Sequence, residues 1–204
     1  PGIDLEGREP AASPVEPPVL GYLSRLSPSL GLDILVEAFV RLKRDPRFRS
    51  LRLHAAGGAT GDDRTFVGRL RERLSEAGCG GDAELREELE GLDTVEFLKT
   101  LRVLSVPVPE GEAFGLYIPE ALSCGVPVVQ PAVGAFPEIV EKTAGGVVYE
   151  PNTPERLAEV LSELLLDPGR CRELGTRGRE AVLREMSTEH MAGGFLSLYA
   201  ELTG

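Results

Sequence analysis

Residues 19–39, VLGYLSRLSPSLGLDILVEAF, contain the two periodicities that decide the fold. Val19–Leu23 is a short apolar run of strand length, whereas Leu32, Leu35, Val36, Phe39 and Leu42 recur at the spacing of one helix face. A strand followed by a helix opens a βαβ unit, and the alternation continues downstream. Leu51–Ala56 reads as a second strand ending at Gly57-Gly58, and Arg64–Ala77 as a helix with Phe66, Val67, Leu70 and Leu74 on its inner face. Residues 78–91 have the weakest pattern; there only Ala83–Arg86 reads as a short strand. Val95–Leu101 reads as helix, Val103–Val108 as a β-branched strand, Leu116–Ser123 as helix and Val126–Gln130 as strand. Phe136–Lys142 and Val147–Tyr149 repeat the pair.

After Tyr149 the expectation is helix only. Thr153-Pro154 and Asp167-Pro168 each place a capping side chain before a proline at the first helical position. Met191, Phe195, Leu198 and Leu202 mark a final helix. Short apolar strands alternating with helices imply a mainly parallel sheet covered on both faces. The predicted fold is therefore α/β, a Rossmann-like three-layer αβα domain over residues 19–204 with a helical C-terminal third. Residues 1–18, carrying Pro10, Pro14, Pro17 and Pro18, read as an extended connector. Ligands of such sheets bind outside the carboxyl ends of the strands, which singles out the loops after Leu23, Ala56, Val108 and Gln130.

Composition narrows the function. A formal net charge of −11 over 204 residues argues against nucleic-acid or anionic-membrane partners, both of which need clustered Lys and Arg. No apolar run approaches the roughly eighteen residues of a membrane span. Cys79, Cys124 and Cys171 lack disulfide or zinc-ligand spacing, so no metal site is expected and a reducing, cytoplasmic setting fits. Pro1-Gly2-Ile3-Asp4 carries no targeting signal and reads as a start in mid-protein.

The most informative loop follows Val108: Glu110-Gly111-Glu112-Ala113-Phe114-Gly115-Leu116-Tyr117-Ile118-Pro119-Glu120. Pro119 is tolerated in a first turn and not in a helix interior, so a helix is expected to start near Gly115 or Leu116. The backbone N–H groups of Phe114, Gly115 and Leu116 then point at a phosphate or at sugar oxygens, and Gly115 permits close approach. Glu112 and Glu120 flank that end. Carboxylates repel phosphate but accept hydrogen bonds from sugar hydroxyls, and a nucleotide sugar has hydroxyls on both sides of its phosphates.

The pattern Glu112-Ala-Phe-Gly-(x)4-Glu120-Ala-Leu-(x)2-Gly-Val-Pro-Val-Val resembles the E-x7-E element of retaining glycosyltransferases of the GT-B fold, the group 1 or family 4 type, which have two Rossmann-like domains. Gly21-Tyr-Leu-Ser-Arg25, Ala56-Gly57-Gly58, Gly134-Ala-Phe-Pro137-Glu138 and Gly145-Gly-Val-Val extend the resemblance over nearly the whole chain. It implies the C-terminal, donor-binding half, joined through Pro1-Gly2-Ile3-Asp4 to an N-terminal domain that receives an acceptor. It further implies that Glu120 binds the donor ribose, that Glu112 approaches the transferred sugar near its anomeric carbon, and that Arg25 neutralises the diphosphate. The partners implied are a nucleotide-diphosphate sugar and an acceptor. No cofactor or metal is needed.

The sequence departs from the family at Leu30, where a second cation, a Lys before Gly31, is expected. Losing a charge-assisted contact to a diphosphate costs about 1.5–3 kcal/mol. A degenerate, non-catalytic module that binds a nucleotide or a protein partner is therefore the alternative function. Arg64 is a candidate replacement cation, set against an ordinary solvated first-turn residue, the reading its position favours. Other residues have plain readings too. Glu112 can be a loop carboxylate, and Glu120 can serve the helix dipole. Arg25 can pair with Asp33 or Glu37. His54 reads as a core or edge residue, His190 as exposed and Cys124 as a small core residue. Gly57-Gly58 is counted among the donor-binding residues that the resemblance implies, although it can simply turn the chain; it is no GxGxxG fingerprint, and an oxidoreductase is disfavoured accordingly.

Overall fold

The computed structural model describes residues 3, 5–11, 15–88, 92–110 and 115–186. The final helix read around Met191 and His190 lies outside the described residues, as do Glu112 and Phe114. Among the described residues six strands run in chain order: β1 (Val19–Leu23), β2 (Arg52–Ala56), β3 (Ala83–Arg86), β4 (Val103–Leu104), β5 (Val128–Pro131) and β6 (Gly146–Tyr149). All pair in parallel, in the order β3-β2-β1-β4-β5-β6. β1 lies in the middle of the sheet and is buried along its whole length, which is why its sequence reads as an unbroken apolar run.

Among the described residues seven α-helices separate or follow the strands: α1 (Leu32–Lys43), α2 (Gly61–Glu76), α3 (Thr94–Lys99), α4 (Tyr117–Ser123), α5 (Phe136–Thr143), α6 (Pro154–Leu165) and α7 (Pro168–Glu185). α1 packs against α2 and α6, whereas α4 packs against α3 and α7, giving the two outer layers of an αβα sandwich. The residues read as inner faces are inside: Leu32, Leu35, Val36 and Phe39 of α1 are fully buried, each contributing about 1.5–3 kcal/mol. Thr153 and Asp167 cap α6 and α7, accepting from the backbone N–H groups of Arg156 and Arg170. α7 approaches α4 and β6 closely because of Gly178, where a Cβ would lie 2.5 Å from Leu122 Cδ2.

One expectation needs adjustment. The strand read over Val103–Val108 pairs only through Val103–Leu104. Ser105 N–H still donates to the Gly21 carbonyl, at 3.0 Å, but Pro107 has no N–H to offer and Val108 N–H turns back to Val106 at 2.9 Å. The segment read as a connector is anchored on the domain at its described residues. Ile3 is buried and donates to the Met186 carbonyl at 2.8 Å, Arg179 donates to the carbonyls of Arg8 and Ser123, and Arg102 donates to the Val15 carbonyl and the Glu16 carboxylate. Among the described residues no helix is long and apolar enough to cross a membrane.

Candidate functional site

From β1 the chain moves outward through β2 to β3, and from β4 outward the other way through β5 to β6. The loops leaving β1 and β4 therefore part in opposite directions and leave a crevice at the carboxyl ends of these two strands. Arg25 lies on the first of these loops, and Gly115, Leu116 and Glu120 follow the second.

Backbone contacts lock the loops around the crevice together. Tyr22 Oη donates to the Arg25 carbonyl at 2.8 Å, and Leu26 N–H donates to the Gly58 carbonyl at 3.0 Å. Gly57 lies directly on the loop after β1: a Cβ there would be 1.7 Å from the Ser24 carbonyl oxygen. Gly31, at φ 73°, faces the Pro107 carbonyl, 2.0 Å from where its Cβ would be. Asn152, just beyond β6, donates its amide to the Pro107 and Val108 carbonyls at 3.2 and 3.1 Å and accepts from Tyr149 Oη at 2.8 Å. The loop after β4 is thus held between Gly31 on one side and Asn152 on the other.

Arg25 has its side chain half exposed, with Nε 3.7 Å from Asp63 Oδ2. This partner differs from both carboxylates the sequence offered; Glu37 instead holds Arg73 at 2.6 Å. Asp63 is fixed in turn, because it closes a capping box on α2 by accepting from the backbone N–H and hydroxyl of Thr60 at 2.9 and 2.7 Å. Those two bonds, and then Arg25, hold its carboxyl below the usual range.

Helix α4 starts at Tyr117 with Leu116 as its N-cap residue, so Pro119 sits in the first turn, where its missing N–H costs nothing. Gly115 takes the left-handed conformation at φ 47°, and Leu116 is exposed. Glu120 is partly buried, and its carboxylate has no hydrogen-bond partner among the described residues. Burial pushes its pKa up, with Arg8 opposing. A desolvated carboxylate with spare acceptor capacity suits hydroxyl donors better than phosphate.

The pair Gly57-Gly58 divides in role. Gly57 is required by packing, whereas nothing lies within 4 Å of a Cβ on Gly58. Leu30 packs against the core, so no cation stands at that position. His54 is partly buried on β2 with its pKa lowered by burial, and Cys124 is buried with its thiol pushed up, so neither is prepared for chemistry. Sequence reasoning missed Asp63, although Thr60-x-x-Asp63 is a legible capping signature. It also missed Asn152, Ser105 and Gln130, which carry no local signal. Ser105 and Gln130 are fully buried toward the carboxyl ends of β4 and β5, and Ser105 Oγ and Gln130 Nε2 have no partner among the described residues.

A cavity of about 550 Å³ lies elsewhere among the described residues. It lies at the amino ends of β4 and β5, between Leu101, Gly125, Cys171 and Arg179. A smaller one of about 420 Å³ opens at the carboxyl end of β3 between Arg64, Arg86, Glu87 and Glu88. We assign the site to the carboxyl edge, because that is where the loops converge on a strand-order reversal.

Comparison with known proteins agrees with this architecture. Residues 5–181 match the family model for glycosyl transferases group 1. A D-inositol 3-phosphate glycosyltransferase of Xylanimonas cellulosilytica is 31% identical over 196 residues, which are 96% of this chain and 45% of that protein. The chain thus spans about half the length of the curated relatives it matches. The C-terminal domain of a glycosyl transferase group 1 family protein from Francisella tularensis superposes with a TM-score of 0.79 at 20% identity, covering 92% of this chain and all of that one. Anabaena HepE in complex with UDP-glucose superposes with a TM-score of 0.84 at 20% identity, covering 98% of this chain and 56% of that one. The family match, the strand order and the coverage converge: the chain belongs to the glycosyl transferases group 1 family and has the fold of the C-terminal domain of a GT-B glycosyltransferase.

Proposed function

We propose that this domain binds the donor of a retaining glycosyltransferase that moves a hexose from a nucleotide-diphosphate sugar to an acceptor held by an N-terminal domain. The observation that carries the reading is the convergence of the Arg25 loop, Gly57 and the Pro107 loop, backbone against backbone, around one crevice, with the partly buried Glu120 in the first turn of the helix that follows the loop after β4. The UDP-glucose complex of a protein with this fold supports the donor class. In the reaction the bond between the anomeric carbon and the diphosphate oxygen breaks. A bond to the acceptor hydroxyl forms on the same face, and the hydroxyl proton leaves with the diphosphate. Arg25 neutralises charge growing on that leaving group, so the chemistry requires no metal. Glu120 accepts from the ribose hydroxyls, Phe114, Gly115 and Leu116 hold the donor, and Glu112 is assigned to the reacting sugar. The donor half on its own turns nothing over, because the acceptor site completes the reaction cleft.

The second reading, a module that no longer catalyses, is favoured by one observation: Leu30 puts an apolar side chain where a diphosphate cation is expected. A thermal-shift titration with UDP, GDP and ADP, repeated on Arg25→Ala, tests both. A ligand that binds the native state must raise the melting temperature. A rise with one nucleotide that Arg25→Ala removes supports the donor reading. No rise at millimolar nucleotide speaks for the degenerate module.

A further inference from the structure

We infer that Arg64, on the first turn of α2, is the second cation of the diphosphate site, acting with Arg25 from the neighbouring loop in place of a charge at position 30. This rests on the donor reading above. Leu30 carries no charge, and its side chain is only partly buried, against the edge of the core. Arg64 stands in the first turn of α2, at the end of the loop that follows β2. Gly57 presses the loop after β2 onto the Ser24 carbonyl, so the start of α2 is fixed beside the Arg25 loop. The contact is visible in the side chains as well: Asp63, the residue before Arg64, is the one Arg25 reaches.

The two guanidiniums differ in how they are held. Arg25 is steered by Asp63, whereas Arg64 is exposed and its side chain has no ion pair or hydrogen bond among the described residues. Arg64 also borders the open cavity at the carboxyl end of β3 with Arg86, Glu87 and Glu88. Neither carboxylate there is paired with it: Glu87 is bonded to Arg71 at 2.6 Å, and Glu88 makes no ion pair with Arg64. Leu23, Ala56 and Arg86 stand in register across β1, β2 and β3. From the Arg25 loop to that cavity is therefore two strand spacings, about 10 Å, within the span of a nucleoside diphosphate. A free, unpaired guanidinium in a chain of net charge −11 is a site for an anion that arrives with its own geometry.

The test is isothermal titration of the domain with UDP, UMP and uridine, using the unaltered chain, Arg64→Ala, Leu30→Lys, the double variant, and Arg69→Ala as an exposed control on the same helix. Removing a charge-assisted phosphate contact corresponds to a roughly tenfold to hundredfold loss. Arg64→Ala is expected to weaken UDP by that factor, UMP less and uridine not at all, with Arg69→Ala unchanged and Leu30→Lys restoring part of the loss in the double variant. UDP affinity within twofold of the unaltered chain in Arg64→Ala, or equal losses for UDP and uridine, overturns the assignment while leaving the donor reading intact. Should the unaltered domain bind none of UDP, GDP and ADP, the donor reading itself fails and takes this assignment with it.

Discussion

Gly57→Ala, set against Gly58→Ala one residue later, separates a glycine that the fold needs from one that it does not. The Cβ that the first substitution adds would lie 1.7 Å from the Ser24 carbonyl oxygen, half the 3.4 Å at which ordinary contact begins, and 2.6 Å from its carbon. Both atoms are backbone, so no side chain can swing aside, and the loop after β1 must move away from the loop after β2. Overpacking of this kind costs about 1–3 kcal/mol. At this chain length each kcal/mol moves the melting temperature by roughly 2–4 °C, so a fall of about 2–12 °C is expected. The displaced loop carries Arg25, so nucleotide affinity should fall with stability, by roughly tenfold or more as the phosphate contact is lost. Gly58→Ala meets open space and should stay within about 0.5 kcal/mol of the parent. Thermal melts of both variants, each repeated with saturating UDP, measure the two effects together. If Gly57→Ala melts and binds like Gly58→Ala, the account of the loops as one packed unit is wrong.

Two further predictions concern the walls of the crevice. Asn152→Ala strands the Tyr149 hydroxyl and two backbone carbonyls, and should cost about 1–3 kcal/mol in urea unfolding; Asn152→Asp should cost at least as much, because it sets a negative charge against the Pro107 and Val108 carbonyl oxygens. Glu120→Gln should uncouple stability from binding. Burial raises the folded-state pKa of Glu120, so its ionised form penalises the fold above that pKa, and the penalty disappears as pH falls through it. The amide should therefore stabilise by about 1 kcal/mol at pH 7, the scale of an unpaired buried polar group, while weakening UDP. Urea midpoints at neutral and acid pH check the sign, since the advantage over the parent must shrink as pH is lowered.

Much of the fold was legible because the informative signals were local. Val19–Leu23 and Ala83–Arg86 have the predicted strand bounds, and the inner faces of α1 and α2 were readable from spacing alone. Thr153-Pro154 and Asp167-Pro168 marked helix starts with a physical cap behind each. The shortening of β4 was legible in principle, since Pro107 and Pro109 deny the ladder its donors. Strand order was not, because pairing partners are set by long-range packing. The same limit applies to the site. Arg25 and Glu120 were proposed from motif context, but Asp63 as the partner of Arg25, and Asn152 as the brace of the loop after β4, depend on residues 38 and 45 positions away in the chain. The anchoring of the N-terminal segment through Ile3 was hidden for the same reason. Its partner, Met186, is at the far end of the described chain.

The most direct measurement of the central claim is a crystal structure of this domain grown with a nucleotide-diphosphate sugar, chosen as the nucleotide that stabilises it most. The account predicts the diphosphate within hydrogen-bond reach of Arg25, the ribose hydroxyls on the Glu120 carboxylate, and the sugar facing the loop that carries Glu112. Density for the nucleotide away from the carboxyl ends of β1 and β4, for instance in the cavity between Leu101, Cys171 and Arg179, would contradict it.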